Sequence, residues 1–143
     1  MRLSMSEILE NTSKISKRTE KIEYLRKHYT PQLHKILEFA LNPDIKFSLP
    51  EGHPPYNALT EDEGHDILYR ESRKLYLFVE GGYPALDDAG KQGQVKREAL
   101  FIDMLEQVHP GDARLLIGMK DKNVPHKGIT KKLIDEAFGE YRG

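Results

Sequence analysis

Prolines and helix-starting residues cut this chain into short pieces, and within each piece the apolar residues recur three and four apart. Eight prolines are spread over 143 residues. Thr30-Pro31 reads as a helix start: threonine caps free N–H groups, and proline in the first turn forfeits no hydrogen bond. Leu33, Ile36, Leu37, Ala40 and Leu41 follow at helical spacing until Asn42-Pro43 stops them. No segment keeps the two-residue alternation of a strand ladder, although Leu75 to Val79 would also suit a buried strand. The pattern predicts an all-α chain, one compact domain over residues 1–143, with about six to eight helices.

The remaining boundaries follow from the same signals. Residues 4–28 read as a short helix capped by Ser6 and then a longer one opened by Ser16 or Thr19, with a break at Ser13 to Ser16. Thr60 and Glu63 form a capping-box pattern for a helix running to about Glu80, closed by Gly81-Gly82. Tyr83 to Gly93 reads as a polar loop. Val95 to Val108 reads as a helix with Val95, Ala99, Leu100, Ile102, Met104 and Leu105 mostly inward. His109-Pro110-Gly111-Asp112 precedes a helix over Ala113 to Lys120, and Thr130 caps a last one over Lys131 to Phe138. Residues 42–59 hold Pro43, Pro50, Pro54, Pro55 and Gly52, which makes them a long loop with extended pieces and a short helical turn around Asp44 to Phe47. A loop of that length in a small domain is often functional or mobile.

Composition narrows the chemistry. There is no cysteine, which removes disulfides, thiol nucleophiles and cysteine-based metal centres and fits a reducing compartment. No apolar run reaches the ~20 residues of a membrane span, and the opening residues carry no signal-peptide core. A cytoplasmic protein without a membrane partner is expected. The net charge of −1 hides an uneven distribution. Residues 1–46 hold nine basic and six acidic side chains, residues 47–108 six and twelve, and residues 109–143 seven and five. Both ends are basic and the middle is acidic, so one basic face forms if the ends meet.

The densest basic stretch runs from Lys120 to Lys132. Lys122, His126 and Lys127 lead through Gly128 to the helix start at Thr130, with Lys131 and Lys132 in its first turn. Free N–H groups at a helix start attract anions, and glycine lets a backbone come close, so the layout suits phosphate. The same pattern also describes a solvated loop and cap. Elsewhere, Gly81-Gly82 lacks the companions of a nucleotide loop, and there is neither a nucleophile elbow nor His-Glu-x-x-His. Glu61, Asp62, Glu63, His65 and Asp66 could gather a divalent ion, but acids in a first helical turn explain them far better. No cofactor and no catalytic residue is expected.

Two segments resemble a known family. Asp112 to Asp121 followed by Gly128 to Phe138 is similar to the end of the N-terminal DNA-binding domain of ATP-dependent DNA ligases. There a helix ends in a basic residue followed by Asp, and a glycine turn leads to a Ser/Thr-started helix with an aromatic end. Ile8 to Ala40 is similar to the opening of the same domain in phage ligases. The whole chain also resembles an uncharacterised family of small proteins of T-even-type marine myoviruses, through His109 to Ala113 and Lys120-Asp121-Lys122.

The ligase resemblance implies an all-helical fold with minor-groove and phosphate contacts, putting Lys120, Gly128, Thr130 and Lys131 on DNA. This chain departs from the pattern by the longer turn Asn123 to Lys127 and by lacking the Lys-x-Asp-Gly nucleotidylation motif. The expected function is a non-catalytic phage DNA-binding module for duplex or nicked DNA in replication, repair or recombination. Its expected contact residues are Lys120, Lys122, His126, Lys127, Gly128, Thr130, Lys131 and Lys132. The alternative is a module that binds a phage or host replication or transcription protein through the acidic middle and the loop around Tyr56. A metal enzyme built on Glu63, His65 and Asp66 is the third reading.

Overall fold

The computed structural model describes residues 2–139. Among them are eight α-helices and one 3₁₀ segment: α1 (Met5–Ser13), α2 (Arg18–Lys27), α3 (Pro31–Leu41), α4 (Ile67–Glu71) continuing as 3₁₀ over Ser72–Phe78, α5 (Pro84–Asp88), α6 (Gly90–Gln107), α7 (Pro110–Lys120) and α8 (Lys131–Phe138). The all-α class expected from the sequence is what the chain adopts.

Local chemistry sets the starts. Ser4, not Ser6, caps α1: its hydroxyl accepts from Glu7 N–H, and the Glu7 carboxylate accepts from Ser4 N–H at 2.7 Å. Ser6 is free for another task, and its N–H goes to the Asp112 carboxylate at 2.8 Å. Thr30 and Thr130 cap α3 and α8 as their sequence context predicts. Pro110 occupies the first turn of α7, which therefore starts earlier than Ala113.

Three assignments differ from expectation. The helix expected from Thr60 to Glu80 does not start at Thr60. Its hydroxyl donates to the Asp62 and Glu63 carboxylates instead of capping, and Gly64 at φ +79 turns the chain before α4. Gly64 sits where a Cβ would lie 2.8 Å from His109 N, so close contact with the start of α7 fixes this turn. The second half tightens to 3₁₀, and Val79 leaves it to form an isolated antiparallel bridge with Phe47. Tyr83 to Gly93 is helical rather than loop: Pro84 starts α5, and α6 begins at Gly90. Gly93 permits that tight helical corner, because a Cβ there would meet Leu86 O at 2.0 Å. Val95, expected inward, is 69 % exposed, and Arg97 takes the buried place with its guanidinium on Leu77 O, Gln94 and Asp87.

The core gathers where α3 and α7 cross. Leu33, Ile36 and Leu37 of α3 meet Leu115, Leu116 and Met119 in one buried apolar cluster. Helix α6 packs on α7, and α1 lies against α2 and α7. Helix α8 packs on both α2 and α3. This closure brings the two ends of the chain together. Arg18 pairs with Glu136 at 2.6 Å, and the Arg26 guanidinium donates to the Glu136 and Ala137 carbonyls.

The Pro-rich segment is not a free loop. Gln94 donates to Ser48 O, Glu106 accepts from Asn57 N–H, and Phe47, Leu49 and Tyr56 pack on the core.

Candidate nucleic-acid interface

The basic stretch expected to hold phosphate divides in two. Its first half is consumed by the fold. Lys120 is buried, and its ammonium donates to Pro50 O at 2.9 Å, Gly52 O at 2.7 Å and the Asp121 carboxylate at 2.7 Å. All three protons are spent, so Lys120 anchors the Pro-rich segment instead of facing a ligand. Lys122 is exposed along its stem, yet its ammonium is claimed by the carbonyls of Phe39, Asn42 (2.8 Å) and Ile45 (2.7 Å). It closes the C-terminal end of α3, where carbonyls lack helical donors. Burial also pulls the Lys122 pKa down. Its φ of +59 lets the chain turn so that the side chain reaches back. Both lysines leave the interface predicted for them.

His126 also turns inward. Its Nδ1 faces the Glu10 carboxylate at 3.4 Å, and burial lowers its pKa. It lines a cleft of about 660 Å³ between the starts of α1 and α7. Glu7, Glu10 and Glu61 line that cleft against the single cation Arg114. A cleft with this charge repels phosphate, so His126 is set apart from the anion site assigned to it.

The second half of the stretch keeps the predicted layout. Gly128 has φ +80, a conformation that favours glycine, and the ammonium of Lys21 lies 3.3 Å from where a Cβ would sit. Thr130 is exposed and caps α8, accepting from Leu133 N–H at 3.2 Å. Lys132 N–H precedes the first intrahelical acceptor, as at any helix start. Lys127 and Lys132 are exposed, Lys21 is half-buried, and none of the three makes an ion pair among the described residues. Lys131 pairs with Asp135 at 2.8 Å, one turn along the same helix. Lys21 was not among the residues expected here. It precedes Gly128 by 107 positions, and only the packing of α8 on α2 joins them.

The acidic run at 61–66 does not assemble as the metal reading requires. Glu63 and Asp62 accept from Thr60, while His65 faces Glu7 at 3.7 Å and packs its ring 4.3 Å from that of His109. Among the described residues no group of three His, Asp or Glu side chains is placed to hold a metal ion. No helix of the described residues is long and apolar enough to cross a membrane.

The sequence model of a family of unknown function, DUF6433, matches residues 8–126. The chain belongs to DUF6433. No curated protein and no solved structure matches it. The DUF6433 match takes in α1 from Ile8, the Pro-rich segment and α7, and it stops before Lys127.

Proposed function

We propose that this DUF6433 protein is a non-catalytic module that holds nucleic-acid backbone at the start of α8, without reading sequence. The observation that carries the reading is the placement of Lys21 over Gly128. It joins a cation from the basic N-terminal part to Lys127 and Lys132 at a helix start. Cations without partners and a positive φ glycine are what a phosphate oxygen needs for close approach. The resemblance to ligase DNA-binding domains and to proteins of marine T-even-type myoviruses supports duplex or nicked DNA as the ligand. It also supports a setting in phage replication, repair or recombination in the host cytoplasm.

Fluorescence anisotropy with labelled nicked duplex, intact duplex and single strand, at low and physiological salt, tests it. Three phosphate contacts give a log–log salt slope of about −3 for duplex. The K127E/K132E double variant abolishes binding while keeping its melting temperature. Absence of binding at low salt would overturn the proposal.

A second reading rests on a separate observation. Tyr76 and Tyr83 are 46 % and 40 % exposed and meet edge to face at 5.8 Å, in the acidic middle of the chain. An exposed aromatic pair in an acidic stretch of chain suits a protein partner, such as a replication or transcription factor. Capture of such a partner lost in Y76S/Y83S, with DNA binding unchanged, would favour this surface.

A further inference from the structure

We propose that the two hollows on either side of Tyr69 form a second anion site, which takes a ligand with more than one phosphate group. The first hollow, about 320 Å³, lies between the N-terminal segment and the end of α2, with Arg2, Lys27, His28 and Thr30 on its walls. The second, about 210 Å³, lies beside the start of α3, with Gln32, Lys35, Ser72 and Arg73 on its walls. Tyr69 is a wall of both. No carboxylate lines either hollow. In a chain with 23 acidic side chains against 22 basic ones, that is a local separation of charge.

The cations here are uncommitted, unlike those at Lys120 and Lys122. Arg2, Lys27, Lys35 and Arg73 make no ion pair and no hydrogen bond among the described residues. Arg2 lies over the Tyr69 ring at 4.3 Å, and Lys35 over Phe39 at 5.7 Å. These contacts hold the side chains without neutralising them, so each head remains able to bind an oxyanion. Burial lowers the Lys35 pKa, the mark of a cation drawn partly out of water with no anion to compensate. The carboxylates whose charge reaches the Tyr69 hydroxyl, on Asp112, Asp66 and Glu7, belong to neither hollow, and that hydroxyl is spent on Leu3 O at 3.0 Å.

Backbone polarity adds to side-chain charge. The start of α3 falls at the seam: Thr30 lines one hollow, Pro31 and Gln32 the other. Helix α3 spans 11 residues, so its positive end is developed there. Gln32 supplies a neutral donor beside Arg73 and Lys35, while the Ser72 hydroxyl is spent on Tyr69 O at 3.2 Å. Two hollows with cations in each, divided by one ring, match adjacent phosphates better than a single one. Phosphate chemistry of this kind comes from a free nucleoside polyphosphate or from consecutive phosphates of a nucleic-acid strand.

The site is separate from the face at the start of α8. Tyr29, which borders the first hollow, packs on Phe138 at the far end of that helix, with ring centroids 5.0 Å apart. The length of α8 lies between them, about 10 Å at 1.5 Å per residue. The two proposals therefore fail independently.

Titration calorimetry and amide NMR with inorganic pyrophosphate, a nucleoside triphosphate and a single-stranded oligonucleotide decide the matter. Saturable binding is expected, with the largest shifts at residues 27–35 and 69–73. K35Q/R73Q weakens it at least tenfold, K35R/R73K restores it, and K127E/K132E leaves it unchanged. Melting temperatures of all variants confirm that they fold. An oligonucleotide binding ten times tighter than pyrophosphate identifies a strand as the ligand, and a nucleoside triphosphate binding as tightly as the oligonucleotide identifies a free nucleotide. No saturable binding by any probe, or binding that K35Q/R73Q does not weaken, overturns the proposal.

Discussion

Asp112 shows what a single buried carboxylate costs this fold. It is wholly buried, one oxygen accepts from Ser6 N–H, and the other has no partner. Burial is the largest influence and pushes its pKa up from 3.8 to about 6. The folded chain therefore holds the proton more tightly than the unfolded one does. The resulting stabilisation is full below about pH 4 and is lost as pH rises through about 6, with an upper size of about 3 kcal/mol. His126 acts in the opposite sense: burial lowers its pKa, so stability falls as pH drops below its ordinary value of 6.5. D112N removes only the first effect. Its urea midpoint relative to the parent should climb between pH 4 and pH 7, and a pH-independent difference would contradict the account. Lys120 makes the complementary case. K120M strands two carbonyls and a carboxylate at the root of the Pro-rich segment, which costs about 1–3 kcal/mol in chemical denaturation. It should leave nucleic-acid affinity untouched, because that ammonium never reaches solvent.

Elements were legible where one residue type decides them. Thr30-Pro31 and Thr130 marked α3 and α8, since a hydroxyl cap is a purely local bond. T130A should cost about 1 kcal/mol, read as a fall of about 2–4 °C in melting temperature. If the start of α8 also holds phosphate, T130A weakens DNA binding in the same protein. Elements were misread where a glycine packs against a distant backbone. Nothing near Gly93 in sequence announces that α5 and α6 meet there. G93A forces a Cβ toward Leu86 O and should destabilise by about 1–3 kcal/mol, whereas an exposed helical glycine gains from the same change. A melting temperature that rises in G93A would mean that this corner is not tight. The helix expected from Thr60 failed for a related reason: Gly64 turns against the backbone at His109, and the cap signal was spent on a loop.

At the scale of the molecule, closure by α8 is what makes a basic face from two ends. Leu133, Ile134 and Ala137 enter the core, and the helix packs on α2 and α3. Burying two such aliphatic side chains contributes roughly 3–6 kcal/mol, a large share of the about 5–15 kcal/mol that holds a domain folded. A chain ending at Gly128 should lose its cooperative thermal transition, seen by circular dichroism. A sharp melt near the parent temperature would show that α8 is an appendage. The sequence by itself determined the helical class, the caps, the stops and the uneven charge, because these depend on side chains a few positions apart. Only the tertiary structure decided which lysines are free. Lys120, Lys122, Lys127 and Lys132 look alike in sequence, yet two are locked on backbone carbonyls from residues 39–52 and two stand in solvent. The same holds for Lys21 over Gly128 and for the cations that line the two hollows beside Tyr69. Charge acts through space, and the distances between these groups are set by packing that no local pattern records.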